Sequence, residues 1–208
     1  SDLLSTRDGH LVARHDPNIA DTTDVARHPE FAARRRSVRV DGVEMQGWFT
    51  TDFTLAELRT LRAVQPRADR SQEFDGQYPV PTLEEIIELA RRESAARGRT
   101  IGIYPETKHP TWHCEQGLAL EPVLLAALAE AGWTTRESPS FEAGNWQWLR
   151  SRTGVRLVQL LDGGPLTRDG RVTPARQWRA ARGCALFETR LPPTDFSRID
   201  SFREIARH

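Results

Sequence analysis

The chain has 208 residues, enough for one large domain or two small ones around a buried core. Its 29 basic residues balance its 29 acidic residues, and this formal net charge of +0 excludes the basic surface that nucleic-acid-binding proteins carry. From this charge balance we predict no nucleic-acid partner. No apolar run approaches the roughly 18 residues of a membrane-spanning helix, so we also predict no membrane span.

The first predicted element is a pair of extended segments joined by a tight turn. Asp8-Gly9 stands between two apolar runs, a pattern typical of a β-hairpin. The second segment ends at His15-Asp16-Pro17, because proline cannot continue the hydrogen-bonded ladder. His15 therefore lies at a strand end. A histidine before Asp-Pro is more often a hydrogen-bonding loop residue than a catalyst, and that alternative stays open.

The next part of the chain, residues 19–81, has an irregular pattern that indicates an insertion and not a core layer. Inside it, Thr54 followed by Glu57 forms a capping box and predicts a short helix. A second capping box, Thr82 with Glu85, predicts an amphipathic helix that ends near Gly98.

The stretch after this helix combines an apolar run with two opposite charges. Residues 101–104 predict a buried strand, and Glu106 and Lys108 are two apart, which would put both on one face. Lys108 is the only lysine among the 29 basic residues. An ammonium is more compact than a guanidinium, so this position suggests a role that arginine would not fill. An ordinary salt bridge with Glu106 is the open alternative.

Helices and strands alternate in the rest of the chain. A helix is predicted at 118–131, a short strand at 138–142, a helix at 145–152, a strand at 154–161 and a last helix at 196–206. Alternation of this kind predicts an α/β protein with a parallel sheet or a (β/α) barrel. Cys114 and Cys184 lack the spacing of a zinc site and could be free, or paired in an oxidising compartment.

Five segments resemble, in order and spacing, the glycerophosphodiester phosphodiesterases, and most closely their periplasmic and secreted bacterial branch. These segments are residues 2–17, 22–24, 52–57, 81–85 and 102–108. The resemblance implies a TIM (β/α)8-type barrel, incomplete in this chain, with a small insertion after an early strand. Residues 1–18 and 82–208 would form the partial barrel, and residues 19–81 the insertion of the same domain. It also implies a secreted or periplasmic protein that acts on a small-molecule glycerophosphodiester.

The resemblance assigns roles to four side chains. Asp2 and Glu106 match carboxylates that hold a divalent metal, Ca²⁺ or Mg²⁺, and hard cations do prefer such oxygen ligands. His15 matches one of two acid–base histidines, and its ordinary pKa suits proton exchange near neutrality. Lys108 matches a lysine that binds the substrate and offsets negative charge in the transition state.

The expected function is metal-dependent hydrolysis of glycerophosphodiesters to an alcohol and sn-glycerol 3-phosphate by the complete parent protein. The chain has neither the first strand's His-Arg motif nor the Glu that precedes Asp2 in the family pattern. We therefore expect a piece of a longer protein or a truncated family member. The alternative is a non-catalytic remnant that binds a metal or phosphate, or serves only as an interaction surface.

Two structural expectations follow from this interpretation. Parallel strands should occur at residues 11–14, 101–104 and 156–160. Because neighbouring strands bring their ends together, Asp2, His15, Glu106 and Lys108 should lie close to one another. The opposing expectation is that Glu106 pairs with an arginine on the helix side.

Overall fold

The computed structural model describes residues 1–135, 141–142, 152–155, 157–158, 163–166 and 172–174. The chain divides into two compact units, Ser1–Val158 and Gln159–His208. The predicted helix at 196–206 and Cys184 lie outside the described residues, as does almost all of the predicted helix at 145–152. No helix in the described ranges is both long and apolar enough to cross a membrane.

The first unit contains seven strands and four α-helices within its described residues. In chain order these are β1 (Asp2–Ser5), β2 (Leu11–Ala13), β3 (Arg36–Val40), β4 (Val43–Gly47), α1 (Leu55–Leu58), α2 (Leu83–Arg97), β5 (Glu106–Thr107), α3 (Pro110–Glu115), α4 (Leu120–Glu130), β6 (Phe141–Glu142) and β7 (Leu157–Val158). Three short 3-10 helices, Val25–Arg27, Pro29–Arg34 and Thr50–Asp52, lie between them. In the second unit, β8 (Gly163–Leu166) and β9 (Val172–Pro174) form an antiparallel pair.

The main sheet has the strand order β2-β1-β5-β6-β7. Strands β1, β5, β6 and β7 are parallel and follow the order of the chain, with α2 before β5 and α4 before β6. This arrangement confirms the predicted helix–strand alternation. It also brings the carboxyl ends of the parallel strands to one edge, where functional residues collect in such sheets.

Two of the three strands expected to be parallel differ from the prediction. The segment at 11–14 is antiparallel, because a turn with Gly9 at φ 84° folds β2 back onto β1. The strand expected at 101–104 is not formed, and β5 starts at Glu106, directly after Pro105, which has no N–H to donate to a ladder. The third strand is parallel as predicted, at Leu157–Val158.

Both predicted capping boxes are present. The Thr82 hydroxyl accepts a hydrogen bond from the Glu85 N–H, and the Glu85 carboxylate accepts one from the Thr82 N–H. Gly98 ends α2 in the left-handed conformation, at φ 61°, which glycine adopts without steric cost. Thr54 and Glu57 make the same reciprocal pair at the start of α1.

Two buried clusters hold the first unit together. One joins β1 and β2 to α2 and α4 through ten buried side chains, among them Leu3, Leu11, Ile87 and Leu124. The other fills residues 19–81 and reaches Val12 on β2; its members include Ile19, Phe31, Trp48 and Phe53. The expected irregular segment thus has a core of its own, which the sequence pattern did not indicate. Its limits as an insertion stay a prediction.

Candidate functional site

Strand register aligns two carboxylates of the proposed site. β1 and β5 are parallel neighbours, and Asp2 is the register partner of Glu106. Two backbone hydrogen bonds fix this alignment: the Glu106 N–H donates to the Ser1 carbonyl at 2.8 Å, and the Lys108 N–H donates to the Leu3 carbonyl at 3.0 Å. Residues in register on adjacent strands present their side chains on the same face of the sheet.

Lys108 lies beside both carboxylates. Its Nζ atom is 2.6 Å from Glu106 Oε1 and 3.9 Å from Asp2 Oδ1. The Lys108 side chain is only 18% exposed, so most of it is covered by neighbouring residues at the sheet edge. Glu106 therefore pairs with Lys108, and the opposing expectation of an arginine partner is wrong. Two negative charges and one positive charge are concentrated at one point.

His15 does not join this group through a side-chain contact. Its Nδ1 atom is 3.0 Å from Asp16 Oδ1, and the side chain is 64% exposed. Within the part of the chain that the structure describes, no hydrogen bond or ion pair links His15 to Asp2, Glu106 or Lys108. The structure thus brings three of the four predicted site residues together. His15 follows Arg14, whose N–H donates to the Asp2 carbonyl at 2.9 Å, so its backbone lies near the group.

A turn within residues 19–81 contacts His109, the residue that follows Lys108. His109 has φ 49°, and its Nδ1 atom lies 2.6 Å from Asp41 Oδ2. Asp41 and Gly42 form the tip of the β3–β4 hairpin, at φ 47° and 88°. Because this tip contacts the carboxyl end of β5, residues 36–47 border the site on one side.

The donor atoms fit a hard divalent cation in type. Asp2 and Glu106 offer carboxylate oxygens, which Ca²⁺ and Mg²⁺ prefer. Among the described residues, however, no group of three or more His, Cys, Asp or Glu side chains could hold a metal ion together. The aligned pair therefore supplies at most a part of a coordination shell, and waters or substrate oxygens would have to supply more.

Sequence reasoning missed two positions that the sheet aligns with this pair. Glu142 on β6 is the register partner of Glu106. Arg14, one residue after β2, continues the β1–β2 ladder opposite Asp2. A signal for both existed, since each falls at the end of a predicted strand. Only the pairing register, which no local pattern indicates, aligns them with the two carboxylates.

Comparison with known proteins identifies one family. The family model described as "Glycerophosphoryl diester phosphodiesterase family" matches residues 1–198 of this chain. Glycerophosphodiester phosphodiesterase GDPD6 of Arabidopsis thaliana is 47% identical over 116 residues, which are 56% of this chain and 30% of that protein. Glycerophosphodiester phosphodiesterase of Haemophilus influenzae is 30% identical over 143 residues, 64% of this chain and 37% of that protein. The chain thus spans about a third of the length of these two relatives.

The solved structures support the fold. A crystal structure titled as a putative glycerophosphoryl diester phosphodiesterase from Silicibacter pomeroyi superposes with a TM-score of 0.50 and 17% identity, covering 76% of this chain and 52% of that one. At this identity the likeness concerns the fold alone, which is TIM-barrel-like, in agreement with the parallel order of β1, β5, β6 and β7. With a family model that matches nearly its whole length, the chain belongs to the glycerophosphoryl diester phosphodiesterase family.

Proposed function

We propose that this chain carries part of the active site of a metal-dependent hydrolase that cleaves glycerophosphodiesters into an alcohol and sn-glycerol 3-phosphate. The observation that carries the proposal is the Asp2–Glu106 register pair, with the Lys108 ammonium 2.6 Å from one carboxylate and 3.9 Å from the other. Family membership supports the same reaction. Hydrolysis adds water across one phosphorus–oxygen bond, and the departing alcohol oxygen takes up a proton.

Each side chain has a task in this reaction. Asp2 and Glu106 would hold Ca²⁺ or Mg²⁺, and a bound divalent cation would supply Lewis-acid polarisation of a phosphoryl oxygen. Lys108 would bind a phosphoryl oxygen of the substrate and stabilise the negative charge that grows there. His15, which is exposed and follows Arg14, whose N–H donates to the Asp2 carbonyl, would exchange a proton with the attacking water or the departing oxygen.

A second candidate has an observation in its favour. His15 pairs with Asp16, and the described residues contain no three-residue metal group. Both facts suit a non-catalytic family member that binds a metal or phosphate without turning a substrate over. The two candidates differ in one measurable property, since only the first predicts turnover.

The test is release of sn-glycerol 3-phosphate from a glycerophosphodiester by the purified full-length natural protein, with Ca²⁺ or Mg²⁺ added and with EDTA in parallel. We expect turnover that EDTA abolishes, and we expect Asp2→Asn and Glu106→Gln each to weaken Ca²⁺ binding measured by calorimetry. Glu93→Gln is the matched control, because Glu93 forms an exposed ion pair with Arg97 on α2. Turnover that persists in EDTA would exclude the metal, and Ca²⁺ binding without turnover would favour the non-catalytic candidate.

We also propose that the sheet closes into a barrel in the complete protein and that this protein acts outside the cytoplasm, as periplasmic and secreted bacterial members do. The support for closure is the sequential, parallel order of four strands with helices between them. The support for location is the resemblance in sequence alone. A structure of the full-length natural protein tests the first, and fractionation of cells that express it tests the second.

A further inference from the structure

Arg14 lies on the same face of the sheet as the carboxylate pair. The β1–β2 register pairs Leu3 with Ala13 and Leu4 with Val12, so the next antiparallel pair is Asp2 with Arg14. The Arg14 N–H donates to the Asp2 carbonyl at 2.9 Å, which confirms that the ladder continues to this pair. Directly opposite residues of an antiparallel pair share a face, with Cα atoms about 5.5 Å apart when hydrogen-bonded. Arg14, Asp2 and Glu106 thus form one row across three strands.

Two nitrogens of the Arg14 guanidinium have no partner in the part of the chain that the structure describes. Both Nε and Nη2 are buried, and neither makes a hydrogen bond to any residue that the structure describes. No ion pair within 4.0 Å joins Arg14 to Asp2 or to another described carboxylate. Burial lowers the pKa of Arg14 from its ordinary value, as expected when a charge loses water without gaining a counter-ion.

Two other arginines of the chain form ion pairs that stabilise the fold. Arg34 donates to the Glu57 carboxylate at 2.6 Å, and Arg36 makes a two-pronged contact with Asp52 at 2.7 and 2.8 Å. Both are thus neutralised by a carboxylate of the insertion. A buried guanidinium that only holds the fold together is expected to have such a partner, because an unpaired buried charge destabilises the folded state. Arg14 departs from this pattern.

The charges at this edge favour an anionic ligand. Asp2 and Glu106 carry two negative charges, and Lys108 and Arg14 carry two positive ones. A divalent cation on the carboxylates would give these four side chains and the ion together a net charge of +2. The two free N–H groups of a guanidinium form a planar fork that matches two oxygens of a phosphoryl group.

We propose that Arg14 is a binding residue for the phosphoryl group beside the Asp2–Glu106 pair. Its Nε and Nη2 atoms have no surface open to solvent in this structure, so the guanidinium has to shift outward before Nε–H and Nη2–H can donate to two phosphoryl oxygens. This inference rests on the proposed function and names a further residue of its site. The ligand chemistry is a phosphoryl oxyanion, which a diester substrate, its monoester product and inorganic phosphate all carry.

The experiment measures phosphate binding to the chain by calorimetry, with inorganic phosphate, sn-glycerol 3-phosphate and an uncleaved glycerophosphodiester in separate arms. Arg14→Met removes the charge but keeps the length of the side chain, and Arg14→Lys keeps the charge but removes the fork. We expect Arg14→Met to weaken phosphate binding by about tenfold to a hundredfold, the range for hydrogen bonds to charged groups. Arg14→Lys should fall between this variant and the unaltered chain.

The melting temperature separates binding from structure. Because two buried nitrogens of Arg14 have no partner among the described residues, Arg14→Met should melt at the same or a higher temperature in phosphate-free buffer and should lose the upward shift that phosphate causes. Arg27→Met is the control, since Arg27 is an exposed arginine of the insertion. If Arg14→Met does not fold by circular dichroism, a structural role is indicated, and normal phosphate affinity in Arg14→Lys would then overturn the proposal.

Failure of this inference is distinguishable from failure of the proposed function. If the chain hydrolyses the diester but binds phosphate equally well with and without the Arg14 guanidinium, the inference is wrong and the function stands. If the chain does not hydrolyse it but loses phosphate binding in Arg14→Met, the function is wrong and the inference stands. A chain that binds none of the three phosphates overturns the inference. Where turnover exists, Arg14→Met should raise KM more than it lowers kcat.

Discussion

Lys108 is the residue whose chemistry is most constrained by its surroundings. Its ammonium lies 2.6 Å from Glu106 and 3.9 Å from Asp2, and its side chain is only 18% exposed. A compact point charge can lie between two carboxylates that are aligned by strand register. A guanidinium is broader and planar, so it would reach past this point and occupy space next to the carboxylates.

We therefore expect Lys108→Arg to lower kcat for a glycerophosphodiester by about a hundredfold, the cost of removing one well-placed donor of charge stabilisation. The melting temperature should change little, because the positive charge is kept. The measurement is steady-state turnover at saturating Ca²⁺ beside a melting curve.

Arg59→Lys is the matched control, because Arg59 forms an exposed ion pair with Glu85, 2.7 Å away, in which either cation would serve. Near-normal turnover in Lys108→Arg would show that Lys108 and Glu106 form an ordinary salt bridge without a role in the reaction. A large drop in the melting temperature of Lys108→Arg would show that Lys108 is needed for the stability of the fold.

Elements whose cause is local could be predicted from the sequence. The capping box at Thr82 and the glycine at 98 bound α2 at both ends, and both act through hydrogen bonds and backbone angles within one turn. The Asp8-Gly9 turn likewise predicted the β1–β2 hairpin. In the insertion, Asp41-Gly42 between alternating apolar residues carries the same hairpin signal for β3–β4, and it was overlooked.

Elements that depend on a distant partner could not be predicted in this way. The apolar run at 101–104 has strand propensity, but the pairing of β5 with β1 begins at Glu106, the register partner of Asp2. The lack of a described partner for Nε and Nη2 of Arg14 is likewise a tertiary property, since it depends on which carboxylates lie within hydrogen-bonding distance. The chemistry of Asp2, Glu106 and Lys108 was visible in the sequence through their residue types; the exposed orientation of His15 was not.

The capping box of α2 allows a prediction at this scale. Thr82→Ala removes the hydroxyl that accepts from the Glu85 N–H, and we expect a loss of about 1 kcal/mol in the free energy of unfolding. For a chain of this length, the melting temperature should fall by about 2–4 °C. Thr82→Ser keeps the hydroxyl and should stay close to the unaltered chain. Equal losses in both variants would assign the effect to the buried methyl group of Thr82 and not to the cap.

For the whole molecule, the loss of stability in acid depends on groups with displaced pKa values. The Arg34 hydrogen bond lowers the pKa of Glu57 to about 2. The stability that this carboxylate contributes is therefore present above its ordinary pKa of 4.5 and is lost as the pH falls from there to about 2.

His113 on α3 affects the free energy of unfolding in a different pH range. It is fully buried, its ring is 4.7 Å from that of Trp112, and neither ring nitrogen makes a hydrogen bond to a described residue.

Burial, with a smaller effect of the His109 charge, lowers the pKa of His113 from 6.5 to about 3. As the pH falls below 6.5, the unfolded chain binds a proton at this histidine and the folded chain does not, so the free energy of unfolding decreases until about pH 3. At pH 5 the loss from this one group should be about 2 kcal/mol, at 1.36 kcal/mol for each unit below the ordinary pKa. The loss from Glu57 begins only below 4.5, so of these two groups only His113 contributes between pH 7.5 and pH 5.

We therefore expect His113→Leu, which cannot bind a proton, to lose about 2 kcal/mol less stability than the unaltered chain when the pH is lowered from 7.5 to 5. The measurement is urea unfolding of both proteins at the two pH values, which cancels any difference in packing between the two side chains. His10→Gln is the control, because the His10 side chain is 50% exposed in the β1–β2 turn, and its removal should leave the pH dependence of the unaltered chain in place. Parallel pH profiles for His113→Leu and the unaltered chain would mean that the folded protein takes up the proton at His113 as readily as the unfolded chain does.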